Sequence, residues 1–318
     1  MEELNGYLEW SGKECTFYFK DGTLIIIPVK PIGLLGFQEK TFDFLWGTSA
    51  QYKNVCFLKG HIRQHGSSYH SIPAAVIVGK NNIEHREIGQ IRAIQFSGTI
   101  VNMFYPPEQC IDDEKTIPDG KAIYLKDSEN YKKEIKIKWK DDEFKIIFDI
   151  LNPKLFFAHT GKNLIDVNSY LRIEFENDKD IEVVETYYTA IKHLFSFSNY
   201  RRDIGFDCIE LFAYDDTRKG FLKISNLYTF NEEKKLPDKN ESLHTLRFHH
   251  LESHFDKMMT FILDEKMLYD QIPKNEDVRH DINAETFLSM SSGFEYIFEM
   301  LYPQNLSKNN PLYDRTKK

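Results

Sequence analysis

Glu134-Ile-Lys-Ile-Lys-Trp139, then Lys140-Asp-Asp142, then Phe144-Lys-Ile-Ile-Phe148 is the stretch that decides the fold. Its first arm alternates without a break. Ile135, Ile137 and Trp139 fall on one side, and Glu134, Lys136 and Lys138 on the other. A period of two is a strand with one face buried and one in water, which is how an antiparallel sheet reads. The second arm returns after a turn placed at Asp141-Asp142, so the two form a hairpin. A second hairpin stands near the start. Cys15-Thr-Phe-Tyr-Phe19 and Leu24-Ile-Ile-Ile27 flank Lys20-Asp21-Gly22, and Asp-Gly supplies the positive φ of a type I′ turn.

Working outward, Tyr7, Leu8 and Trp10 lead into the first hairpin. Further strands are expected at 54–59, 72–78, 92–101, 122–126, 170–175, 208–213 and 221–224. The first helix is read from Asp178–Asp180 onward, with Asp180 as N-cap and an apolar stripe of Val184, Tyr187, Tyr188, Ile191, Leu194 and Phe195. The charged, proline-containing segment 231–240 reads as a linker. Beyond it Leu251, Phe255, Met258 and Ile262 form a second helical stripe, and Phe287, Met290, Phe294, Ile297 and Leu301 a third. The fold class is therefore α+β: a β-rich, antiparallel, sandwich-like body over 1–235, then a helical part over 241–318. The terminal stripe must be buried. Either it folds back on the body, or it opens a helical module that the chain does not complete.

Composition narrows the function classes. The chain has 318 residues, 41% hydrophobic and 14% aromatic, with 25 Phe and 17 Tyr. That content favours sheet packing. The net charge of −8 gives no general nucleic-acid footprint, although a local basic patch is compatible with it. The four cysteines, Cys15, Cys56, Cys110 and Cys208, form no C-x-x-C pair, which removes zinc-ribbon and thioredoxin motifs. No apolar run reaches membrane-span length. A cytoplasmic protein without a cofactor is the plain reading.

Histidine is the richest source of candidate chemistry. His250 and His254 are four apart on an expected helix, a spacing that lets two imidazoles share a metal. They are the candidate ligands of a metal-dependent hydrolase. His250-Leu-Glu-Ser-His254 lacks the glutamate directly after the first histidine that a zincin uses, and no third ligand is identifiable. Arg63 and His70 enclose six residues, as do Arg247 and His254. Both pairs have the approximate spacing of the R-x4-6-H motif of HEPN ribonucleases. Arg63-Gln-His-Gly-Ser-Ser-Tyr-His70 reads as a loop between strands, and the second pair lies too early in the chain for that motif. Arg201, Arg202 and Arg247 are candidate phosphate ligands, with a solvated helix end as the plainer reading of the Arg201-Arg202 pair. The Gly-Lys pairs at Gly79-Lys80 and Gly161-Lys162 lack the rest of a phosphate loop.

Four segments together resemble one family. They are Ala75-Val-Ile-Val-Gly-Lys80 with Ile91-Arg-Ala-Ile-Gln-Phe-Ser-Gly-Thr-Ile-Val-Asn-Met-Phe-Tyr105, the helix Ile191 to Arg202, the helix His254 to Glu265, and Phe287-Leu-Ser-Met-Ser-Ser-Gly-Phe-Glu295. They are similar to the ApeA-like anti-phage proteins of bacteria, over about residues 15–302. The resemblance implies a β-rich N-terminal region joined to a C-terminal HEPN ribonuclease that arrests infected cells by cutting RNA. It implies a HEPN domain, and a phage protein or RNA, as partners. The late R-x4-6-H segment is not found, so no catalytic residue is carried over. The expected function is the sensing or regulatory region of such a ribonuclease. The rival readings are a β-rich binding module for a glycan, peptide or phage protein, and the metal-dependent hydrolase. A homodimer through the terminal helix is expected if no groove within the chain receives it.

Overall fold

A computed structural model describes residues 3–30, 40–79, 89–112, 115, 125–151, 168–230, 245–267, 269–275, 278, 288 and 291. The stripe at Phe287, Met290, Phe294, Ile297 and Leu301, the 231–240 segment and most of the strand expected at 122–126 lie outside them. By contacts the chain divides into two compact units, 1–185 with 205–233, and 186–204 with 234–318. The segment 186–204, which the sequence reading kept in the body, groups with the C-terminal part.

The first unit is β-rich and antiparallel, as the alternation predicts. Its fourteen described strands form one continuous ladder in the order β10-β11-β12-β9-β13-β14-β8-β5-β4-β1-β2-β3-β7-β6. These are β1 Leu4–Trp10, β2 Lys13–Lys20, β3 Thr23–Pro28, β4 Thr41–Ser49, β5 Asn54–His61, β6 Arg63–His65, β7 Ser68–Ser71, β8 Ala75–Gly79, β9 Gln90–Ser97, β10 Lys133–Trp139, β11 Asp142–Leu151, β12 Asn168–Asp180, β13 Cys208–Asp215 and β14 Gly220–Thr229.

The expected turn at Asp21-Gly22 is present, with φ of 48° and 79°, and joins β2 to β3 at the pair Lys20↔Thr23. The β10–β11 turn falls one residue earlier than read. Trp139 pairs with Asp142, and Lys140 takes the positive φ of 54°. Along β10 only Ile137 is buried outright, because β10 is an edge strand. Phe144, Ile146 and Phe148 on β11 are fully buried.

The ladder from β8 to β7 is strongly curled. Phe17 on β2 and Phe57 on β5 have ring centroids 5.2 Å apart, yet three strand spacings separate their strands, about 14 Å on a flat sheet. The curl puts Phe17, Phe19, Leu24, Ile26, Phe57 and Tyr69 into one core. Gly47 on β4 permits it: a Cβ there would lie 2.9 Å from the Tyr7 carbonyl and 3.1 Å from the Phe17 ring.

Two expectations are corrected here. The strand read over 92–101 ends at Ser97, and helix α1 Thr99–Phe104 follows. The Asp207 carboxylate accepts the Thr99 N–H at 2.9 Å and starts that helix. Asp180 is not an N-cap: it is the last residue of β12 and pairs with Gln90. A bulge between Glu174 and Lys179 lets β12 regain its pairing with β9, so the strand outlasts the sequence signal. Helix α2 begins at Val183 and runs to Asn199, with Val184, Tyr187, Ile191, Leu194 and Phe195 buried.

In the second unit the last turn of α2 ends in a Schellman motif. Tyr200 adopts φ 53°, Arg201 N–H reaches Ser196 O at 3.1 Å, and Tyr200 N–H reaches Phe197 O at 3.2 Å. Short helix α3 Phe248–Leu251 and helix α4 Phe255–Leu263 follow, joined by a single 3-10 turn. The buried residues of α4 are Phe255, Met259, Ile262 and Leu263, so Met259 occupies the place the stripe gave to Met258. No described helix is long and apolar enough to cross a membrane.

Candidate functional site

The segment read as a loop between strands is a hairpin. β6 and β7 pair in the register Arg63↔His70, Gln64↔Tyr69 and His65↔Ser68, around the turn Gly66-Ser67, with Gly66 at φ 62°. Directly opposed residues point to the same face. Arg63, His65, Ser68 and His70 therefore share one face, while Tyr69 turns inward to the core at 5% exposure. The row continues across the sheet, since His70 pairs with Ile25 and Ile25 with Tyr18.

On this face lies a cavity of about 370 Å³ lined by Thr23, His61, Arg63, His65, His70 and Ile72. Among its described lining there is no carboxylate. The His65 and His70 rings touch, with centroids 4.6 Å apart. The Ser68 hydroxyl donates to the His65 backbone carbonyl at 3.0 Å. It also lies in hydrogen-bonding contact with His70 Nε2 at 3.1 Å. That bond fixes the ring and leaves Nδ1 as its other polar atom. Further along the strand row Glu3 bonds Tyr18 Oη at 2.8 Å and Lys20 Nζ. The Lys20 hydrogen bond, and then that of Tyr18, hold its carboxyl below the usual range.

Of these residues the sequence reading points to Arg63 and His70 and passes over His61 and His65. The signal was available: His61, Arg63 and His65 recur at every second position, which puts them on one face of an extended chain.

The other sequence candidates stand elsewhere. Arg201 is 2% exposed, and its Nε and Nη2 bind the two oxygens of Asp203 at 2.6 and 2.7 Å. Its fork is occupied by a buried carboxylate. Arg202 lies 5.7 Å from the Tyr269 ring centroid, and its N–H bonds Pro273 O at 2.9 Å. Arg247 precedes α3 and donates its backbone N–H to His250 Nδ1 at 3.1 Å. A neutral His250 thus carries its proton on Nε2 and offers no lone pair to a metal. His250 and His254 are both exposed. Among the described residues, no group of three or more His, Cys, Asp or Glu is placed to hold a metal ion.

A second concavity of about 470 Å³ sits at the β12 bulge, lined by Arg92, Lys145, Glu174, Glu176, Tyr214 and Phe221. Its charges are of both signs, and several are paired. Arg92 meets Asp178 at 3.4 Å. Beside it Arg172 bonds Gln95 Oε1 through Nε at 2.9 Å and meets Glu174 at 3.5 Å. Gln95 in turn donates to Glu210 at 2.9 Å. This array satisfies itself, whereas the histidine cavity presents a guanidinium and three imidazoles with no acid among its described lining.

No family model, no curated protein and no solved structure matches this chain.

Proposed function

We propose that this chain is the sensing region of a HEPN-type abortive-infection ribonuclease acting in the bacterial cytoplasm, with the β-rich unit as its recognition part. The observation that carries the reading is the cavity of His61, Arg63, His65 and His70, a concave site built on paired strands of the first unit. The segments resembling the ApeA-like proteins support the rest of the reading, and a HEPN domain is then the effector that the recognition event releases. The apolar pattern of Phe287 to Leu301 calls for a cover, from a groove within the chain, from a HEPN domain or from a second copy.

The test is expression from the native locus in a bacterial host challenged with a phage panel. The expected result is fewer plaques and cleavage of host RNA in infected cells only. Unchanged plating across the panel with the protein present and folded overturns the reading. A free-standing glycan module is favoured by one observation, the Tyr214 and Phe221 rings beside Glu174 and Glu176 in the second concavity. A glycan array addresses it directly.

A further inference from the structure

We propose that the outer face of β3, β7 and β6 binds the terminal phosphate of a nucleotide, held by Arg63, His65 and His70 with the base on the apolar surface beside them. The proposal deepens the reading of the β-rich unit as a recognition region and names the ligand class of its site.

Three features favour a phosphate. The described lining supplies three imidazoles and one guanidinium and no acid, in a chain whose net charge is −8. Against that background a cavity that holds the Arg63 guanidinium and no acid among its described lining concentrates an anion. The guanidinium is a planar fork that meets two phosphate oxygens at once. The register places that fork and the His70 ring directly opposite each other on adjacent strands, so both reach one anion without any backbone change.

The surface beside Arg63 and the histidines favours a nucleotide over a phosphopeptide. Ile72, in the cavity lining, is 62% exposed, and Ile27 on β3 is 46% exposed. Ile25, in the row next to His70, is half-buried. Such a surface accepts the flat face of a base, as do imidazole rings. A peptide would instead need the open edge of β6. That strand has three residues, Arg63–His65, too few for a useful run of main-chain hydrogen bonds, and the charge of Arg63 discourages strand addition. The volume of about 370 Å³ lies within the range of about 300–1,000 Å³ usual for small-ligand sites.

The test is a titration of the purified chain with four probes: a short 5′-phosphorylated oligonucleotide, the same oligonucleotide with a 5′-hydroxyl, adenosine monophosphate, and a phosphoserine peptide. The expected result is roughly tenfold tighter binding of the phosphorylated oligonucleotide than of its hydroxyl form. That advantage should vanish in Arg63→Ala and in His70→Ala and persist in Lys138→Ala, an exposed lysine on β10. Adenosine monophosphate binding as tightly as the oligonucleotide assigns a free nucleotide as ligand. Weaker binding assigns a strand end. Equal binding of the two oligonucleotides, or tighter binding of the phosphopeptide, overturns the proposal. Arg63 is exposed, so its removal leaves folding intact, which a thermal melt checks. Because binding is read on purified protein and defence on plaques, either can fail without the other.

Discussion

Arg63 and His70 are direct cross-strand partners, joined by a two-residue turn at Gly66-Ser67. Six residues separate them in the chain, and the hairpin brings them to adjacent positions on one face. The pairing depends on the turn, and the turn on Gly66, whose φ of +62° belongs to the left-handed region. A Cβ there would meet nothing within 4 Å. Gly66→Ala therefore costs only the backbone term, about 1–2 kcal/mol. The variant should stay folded, with a melting temperature lowered by a few degrees. A change of either sign larger than this would mean that the hairpin contributes more to the unit than its size suggests.

The two faces of β10 should respond in opposite ways. Ile137 is 2% exposed and pairs with Phe144. Ile137→Asp buries an unpaired charge and should cost several kcal/mol, enough to unfold a marginal domain. Lys136 is exposed, and Lys136→Asp should change stability by less than about 0.5 kcal/mol. Urea unfolding of both variants measures the difference, and equal effects would refute the assigned alternation.

How far the chain could be read in advance follows from where local signals met tertiary ones. Asp21-Gly22 and the alternation at Ile135, Ile137 and Trp139 specify turn and face from local sequence alone, and both hold. The strand ending was not legible at Asp180. The pairing of Asp180 with Gln90 is a long-range contact, and it outweighed an acid well suited to cap a helix. The Phe17–Phe57 contact needs the curl of several strands, which no single segment encodes. The histidine site was half legible. Arg63 and His70 stand out as a spaced pair, but Gly66-Ser67-Ser68 reads locally as a loop. The alternation of His61, Arg63 and His65 was therefore not followed through it.

Arg201 should behave as a structural cation. Its guanidinium is buried against Asp203, which is 9% exposed. Removing one member of a buried pair leaves the other charged and unpaired, at about 3–5 kcal/mol. Arg201→Ala and Asp203→Ala should both destabilise by that order. The half-buried Arg202 should tolerate alanine at under about 1 kcal/mol. Thermal unfolding separates the three. Stable folding of Arg201→Ala with loss of anion binding would return this residue to the list of ligand contacts.

Thiol labelling offers an independent check on the core. Cys15, Cys56 and Cys110 are at most 1% exposed, and burial raises all three thiols, that of Cys15 to about 11. Reaction needs the thiolate, so all three should resist an alkylating reagent at neutral pH. Cys208 is half-buried and should react first. Mass spectrometry of the folded chain after brief labelling should find one modified cysteine. Modification of Cys56 on the same timescale would show that the curled sheet opens readily.

The histidine cavity raises the question of RNA cleavage, and its geometry argues against it. In-line phosphoryl transfer places the attacking and leaving oxygens on opposite sides of the phosphorus. A general base and a general acid must therefore flank the phosphate. His65 and His70 do not flank a space: their rings are in contact at 4.6 Å, and His70 Nε2 is committed to Ser68. They can hold an anion from one side and cannot bracket it. The purified chain incubated with total tRNA and mRNA should therefore leave both intact, in the presence or absence of added divalent metal. Binding without cleavage, with the preference for a 5′-phosphate lost in Arg63→Ala and in His70→Ala, is the expected pattern. Cleavage that disappears in His70→Ala would show instead that a second group, His61 foremost, completes a catalytic pair across the cavity.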